Sequence, residues 1–332
     1  MSITQIPFGK LPCGRDATLY ILRNSKGFCA SVSDFGATLV SILAPDRTGR
    51  LTDVLCGFES ADVYARADGY LGATVGRFCN RIARGRFELD GAVYDTLYIN
   101  DGGNHLHGGK VGFSHRLWSL DGMVDGEEPA LTLRLRSPDG EEGYPGNLNM
   151  AVTFSVSADN ALSVHYIAET DKATPINLTN HAYFNLDGNQ CDVRNHKLQI
   201  LADAYLPVDE MGIPYQGLKP VEGTSFDFRN AKSIAQDFLS DDDQRKVKGY
   251  DHAFLLQAQG NVKQPAAQVW SADEKLQMTV YTSAPALQFY SGNYLGGTTA
   301  REHGEYSDWQ GLALESEFLP DSPNHPEWPQ PD

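Results

Sequence analysis

Histidine, carboxylate, arginine and amide side chains, the groups that move protons or grip hydroxyls, gather in five short stretches of the chain. These are NRIARG around Arg81, NHLHGG around His107, NLTNHAYFNL around His181, YDHAF around Asp251 and GLALESEFLPDSPNHPEWP around Glu315. Each lies beside a strand-like run, and strand ends with their loops are where rigid scaffolds place active groups. Taken singly, each has a plain alternative. His107 beside Gly108-Gly109 reads as a turn histidine, His181 as a satisfied core residue, Arg81 with Asp251 as a structural ion pair, and Glu315 as a carboxylate that faces solvent or caps a turn.

Three chemistries could use this set. His105 and His107, two apart on an extended strand, would share a face, and with His181 and Glu315 they would offer metal ligands. Barrels of that kind usually follow the paired histidines with a carboxylate, whereas residues 108–115 contain neither Asp nor Glu. No metal is therefore expected, since ligand type without ligand spacing is a weak signal. Asp251 and Glu315 could instead be the paired carboxyls of a glycoside hydrolase, which requires one of them to stay protonated. The third chemistry pairs a carboxylate with an imidazole as base and acid, matched near neutral pH without extreme pKa shifts. Opening a hexose ring has these requirements, because a base takes the proton of the C1 hydroxyl while an acid protonates the ring oxygen.

The elements that must position these groups read as strands. Leu131, Leu133 and Leu135 alternate with polar residues, as do Val152, Phe154 and Val156 and then Leu162, Val164 and Tyr166, giving each strand one buried and one wet face. Ser157-Ala158-Asp159-Asn160 and Asp90-Gly91 are turn sequences joining antiparallel neighbours. Helical signals are confined to 60–66 and 233–239, and the run Asp241-Asp242-Asp243 reads as a solvated loop. No linker or repeat divides the chain, so the expectation is one large all-β domain, an antiparallel sandwich or barrel spanning 1–332.

Composition excludes other classes. Lys and Arg number 27 against 43 Asp and Glu, a net charge of −16 that repels nucleic acid and anionic lipid. The five cysteines, Cys13, Cys29, Cys56, Cys79 and Cys191, are odd in number and scattered, which suits a reducing, cytoplasmic setting. No signal segment or membrane-length apolar run is visible, so neither nucleic acid nor membrane is expected as a partner.

Together, and in this order, the five stretches resemble the aldose 1-epimerase, or galactose mutarotase, family. The resemblance implies a large antiparallel β-sandwich of the supersandwich type, consistent with the strand alternation. It implies Glu315 of LALES as general base and His181 of TNHAYFNL as general acid. Asn80 and Arg81 of NRIARG would bind sugar, and His107 of NHLHGG would hydrogen bond to it. Asp251 of GYDHAF and Gln288 of LQFYSGN would anchor hydroxyls, with Tyr183 in the pocket wall. The substrate would be a free hexose such as galactose or glucose, its α and β anomers interconverted without metal or organic cofactor. Three departures stand out. Ser316-Glu317 replaces a common Thr-Gln, Ala182 replaces a common serine, and the family usually adds one more strand beyond a tail like PDSPNHPEWP, so a sandwich lacking that strand is expected. A sugar-binding module without chemistry is the competing reading; it would need hydroxyl partners but not both Glu315 and His181.

Overall fold

Leu131, Leu133 and Leu135 line one face of the strand Ala130–Ser137 and stand opposite Phe154, Val152 and Met150 of Leu148–Val156. The latter strand pairs in turn with Leu162–Thr170, so the apolar alternation of all three falls on one side of the sheet. The computed structural model describes residues 2–188, 192–301 and 304–331; Cys191 lies outside them. The other four cysteines are free thiols, Cys13 exposed and the rest buried.

The strands form two packed pairs of antiparallel sheets. A five-stranded meander covering residues 3–53 and a four-stranded meander covering 119–170 enclose one apolar core, which includes Leu22, Val32, Leu133, Val152 and Phe154. A six-stranded sheet and a four-stranded sheet in the C-terminal half enclose a second, with Leu198, Val269, Phe254, Leu287, Phe289 and Leu314. Phe184 and Leu276 pack against both cores. The chain is an all-β sandwich, as the alternation predicts.

Turn chemistry follows the sequence. Asp90 and Gly91 both take positive φ, 53° and 75°, and close the hairpin Phe87–Leu89 to Ala92–Tyr94. Of the two helical segments, Ala61–Arg66 is α-helical, but 233–239 yields only the 3-10 turn Ile234–Asp237. The acidic run departs from expectation. Asp241 caps a short helix, Asp242–Lys246, by accepting from the Gln244 N–H at 3.1 Å. Asp243 is buried and receives the Tyr205 hydroxyl at 2.8 Å and the Lys246 ammonium at 2.9 Å, so it is a packed ion-pair residue rather than a solvated one. Among the described residues, no helix is long and apolar enough to cross a membrane.

Candidate active site

The six-stranded sheet is the floor of the site, and its register explains which side chains meet there. Leu312–Glu317 pairs with Ala286–Tyr290 so that Gln288 stands opposite Glu315, and Asp251–Leu256 pairs next so that Asp251 stands opposite Tyr290. On the other side Tyr183 stands opposite Ala313. With side chains alternating, Leu312, Leu314, Leu287, Phe289 and Phe254 take one face and enter the second core. The opposite face therefore carries Glu315, Glu317, Gln288, Tyr290, Asp251 and Tyr183 together.

Two short antiparallel ladders cover that face. Thr179–Asn180 pairs with Thr74–Val75, and His181 is clamped by its N–H to the Ala73 carbonyl at 2.9 Å and by its own carbonyl to the Gly72 N–H at 2.8 Å. Arg81–Ile82 pairs with His105–Leu106. That short ladder ends where His107 turns into the left-handed region at φ 49°. The following Gly108 has φ +85°, and a Cβ there would lie 1.8 Å from the Gly76 carbonyl oxygen, so only glycine lets the turn seat against the neighbouring segment.

This turn overturns the shared-face geometry that a metal site would need. His105 remains on the strand with Nδ1 at 2.7 Å from the Tyr98 carbonyl and Nε2 at 2.6 Å from the Tyr144 hydroxyl, and is wholly committed to structure. His107 instead approaches His181, ring centroids 5.3 Å apart. Ligand atoms of His107, His181 and Glu315 lie within 4.8 Å of one another. Yet the Asn80 N–H donates to His107 Nδ1 at 3.0 Å, which places the imidazole hydrogen on Nε2 and leaves this ring a donor rather than a ligand.

The candidate acid and base are adjacent. His181 Nε2 lies 3.5 Å from Glu315 Oε1, and both side chains are almost completely buried. His181 stacks on Tyr183 with centroids 5.0 Å apart and planes 15° apart. Tyr70, which no sequence motif singles out, sits 4.7 Å from the His107 ring and 6.0 Å from that of His181. Burial pushes His181 down to about 4, and burial, then His181 and Arg81, push His107 well below its ordinary value. Glu315 moves the opposite way: burial, then the Glu317 and Asp251 carboxylates, raise it well above the usual range against the pull of Arg81. The matched pair expected from sequence is thus split in opposite directions, with the imidazole kept neutral and the carboxyl favouring its proton.

The remaining residues form the rim and its supports. Gln288 donates to Asp251 Oδ1 at 2.7 Å. Arg81 does not close on Asp251 as an ion pair; its Nε donates to Asp101 Oδ2 at 2.7 Å, while the field of Asp251 and Asp101 outweighs the cost of burial and raises its pKa. A Cβ on Gly212 would lie 2.7 Å from the guanidinium carbon, so that turn packs directly on Arg81. Asn80 gives its side-chain N–H to Glu317 Oε1 at 3.0 Å and accepts the Arg81 N–H at 2.9 Å. Within this ring of groups, Glu315 Oε2, Gln288 Oε1 and His181 Nδ1 are buried without hydrogen-bond partners. Buried polar atoms left open at one place call for a polar ligand.

The sequence profile of the aldose 1-epimerase family matches residues 18–331. The chain belongs to the aldose 1-epimerase family. It is 58% identical over 321 residues to the aldose 1-epimerase of Escherichia coli (strain K12), covering 97% of this chain and 92% of that protein. With the galactose mutarotase of Rattus norvegicus it shares 40% over 331 residues, 99% and 94% of the two chains. The crystal structure of galactose 1-epimerase from Lactobacillus acidophilus NCFM superposes with a TM-score of 0.86 at 32% identity, covering 98% of this chain and 93% of that one. As an aldose 1-epimerase family member the chain is an enzyme of the isomerase class, and the eight residues that the family resemblance singles out lie on the sheet face just described or on the segments that cover it.

Proposed function

We propose that this enzyme interconverts the α and β anomers of a free hexose such as galactose or glucose, with Glu315 as base and His181 as acid. The observation that carries the reading is the 3.5 Å approach of His181 Nε2 to Glu315 Oε1, with both side chains almost completely buried. The two oxygens that exchange protons in ring opening, O1 and O5, are bonded to the same carbon, so acid and base must stand side by side rather than across a wide cleft.

In the opening step the Glu315 carboxylate takes the proton from the C1 hydroxyl, and the imidazolium of His181 gives its proton to O5 as the C1–O5 bond breaks. Rotation about C1–C2 presents the other face of the aldehyde. Reclosure returns the proton from Glu315 to O1 and from the O5 hydroxyl to His181, and the cycle consumes nothing. The pair carries one shared proton throughout, and opening leaves it on Glu315 with His181 neutral. That is the arrangement burial favours, with Glu315 raised and His181 lowered. Opening therefore starts from the charged pair, which burial disfavours, and ends in the neutral pair.

The supporting groups have matching chemistry. Arg81, Asp251 and Gln288 offer charge-assisted and amide contacts to hydroxyls, His107 offers its Nε2–H as a neutral donor, and Tyr183 and Tyr70 supply ring faces for the apolar side of a pyranose. Polarimetry of freshly dissolved α-galactose and α-glucose tests the reading. Optical rotation should reach equilibrium well ahead of the spontaneous rate. Sugar binding without acceleration would indicate a binding module, and release of sugar from a glycoside would indicate a hydrolase.

A further inference from the structure

Glu317 is a buried carboxyl for which the acid–base cycle has no use. It is 1% exposed, two residues beyond Glu315 on the same face of the same strand, and both of its oxygens are engaged by uncharged donors. Oε1 accepts from Asn80 Nδ2 at 3.0 Å and Oε2 from the Cys79 thiol at 3.4 Å. A carboxylate withdrawn from water with no cation in contact is strongly disfavoured, so the fold carries a penalty at this position that an amide of the same shape would avoid.

We propose that Glu317 is a positioning residue for the proton-transfer pair: its carboxyl sets where the shared proton of Glu315 and His181 resides and holds Asn80 against His107. The inference rests on the reading of Glu315 as base. Two routes connect the residues. The first is direct, because neighbouring carboxyls on one strand face in a buried pocket cannot both ionise cheaply. The second runs through Asn80, whose side chain is fixed by Glu317 while its backbone N–H fixes the His107 tautomer. Burial and Asp251 push Glu317 itself up to about 8, against the Cys79 and Asn80 hydrogen bonds and the Arg81 charge. The other groups facing this pair are Tyr183 and His181 from the segment after Thr179, His107 from its turn, Asp251 from the third strand, and the uncharged Gln288 and Ala286 across the ladder.

Glu317→Gln tests this, because the amide keeps an acceptor for Asn80 and removes the titrating charge. Because Glu317 ionises only above neutrality, the alkaline limb of kcat/KM should move to lower pH by about one unit, with KM little changed. A wild-type pH profile in the folded variant would overturn the proposal and leave Glu317 a structural acceptor. Glu315→Gln is measured in parallel: full activity there would sink the base assignment itself, whereas its inactivity beside an unmoved Glu317→Gln profile would sink only the role of Glu317. Should Glu317→Gln fail to fold, carbon NMR of glutamate side-chain carboxyls decides. A carboxyl that stays protonated at neutral pH and persists in Glu315→Gln is expected; ordinary titration of every glutamate in that variant would contradict it.

Discussion

The backbone N–H of Asn80 meets Nδ1 of His107 at 3.0 Å, and this bond makes His107 a hydrogen-bond donor toward the pocket. With Nδ1 accepting this bond and the hydrogen on Nε2, the ring has no free lone pair for a cation. EDTA should therefore leave mutarotation unchanged. His107→Ala should raise KM about tenfold, roughly 1.4 kcal/mol, with a smaller change in kcat. A chelator-sensitive activity restored by a divalent metal would contradict the tautomer.

Asp101 was invisible as a functional residue in the sequence, yet it is the group that tethers Arg81. Asp101→Ala should loosen the guanidinium and raise KM by about tenfold, while kcat falls less. Steady-state constants equal to wild type would mean that the packing of Gly212 alone orients Arg81.

The opposed shifts of Glu315 and His181 define a pH profile. The competent pair carries one proton, so activity is lost on the acid side only when His181 also protonates, near its lowered value of about 4. On the alkaline side it is lost when Glu315 gives up its proton, well above the usual carboxylate range. Plots of kcat/KM should be flat through neutrality. An acid limb centred near 6.5 would reveal an unshifted imidazole.

Gly108 tests the turn that presents His107. With φ +85° and the Gly76 carbonyl 1.8 Å from a would-be Cβ, Gly108→Ala should lower stability by about 2–3 kcal/mol in denaturant titration. It should also displace His107 and so weaken sugar binding. An unchanged midpoint would mean that the neighbouring segment yields easily.

Much of this was legible in the sequence because strand alternation and turn dipeptides are local signals. Leu131 to Leu135 and Asp90-Gly91 behave as their patterns dictate, and the catalytic-type residues fall in motifs whose order carries a family signature. What stayed hidden depends on contacts between distant segments. Tyr70 reaches the site only because a loop folds over the sheet, Asp101 only because its turn returns to Arg81, and Glu317 looks like a strand carboxylate until its strand is found with neighbours on both sides. His105 and His107 mislead for a related reason: a two-residue spacing shares a face only while the strand continues, and the ladder stops at Leu106. Asp243 escapes because charge in a run of three gives no hint that Tyr205 and Lys246 converge on one of them.

The most direct measurement of the proposed chemistry is anomer exchange in Glu315→Gln set beside its sugar affinity. The amide matches the carboxylate in size and hydrogen bonding but cannot accept the C1 proton. Calorimetry should find binding within a few-fold of wild type, while the exchange rate of galactose anomers falls roughly 10²–10⁴-fold. Wild-type exchange in the folded, sugar-binding variant would contradict the assignment of Glu315 as the base.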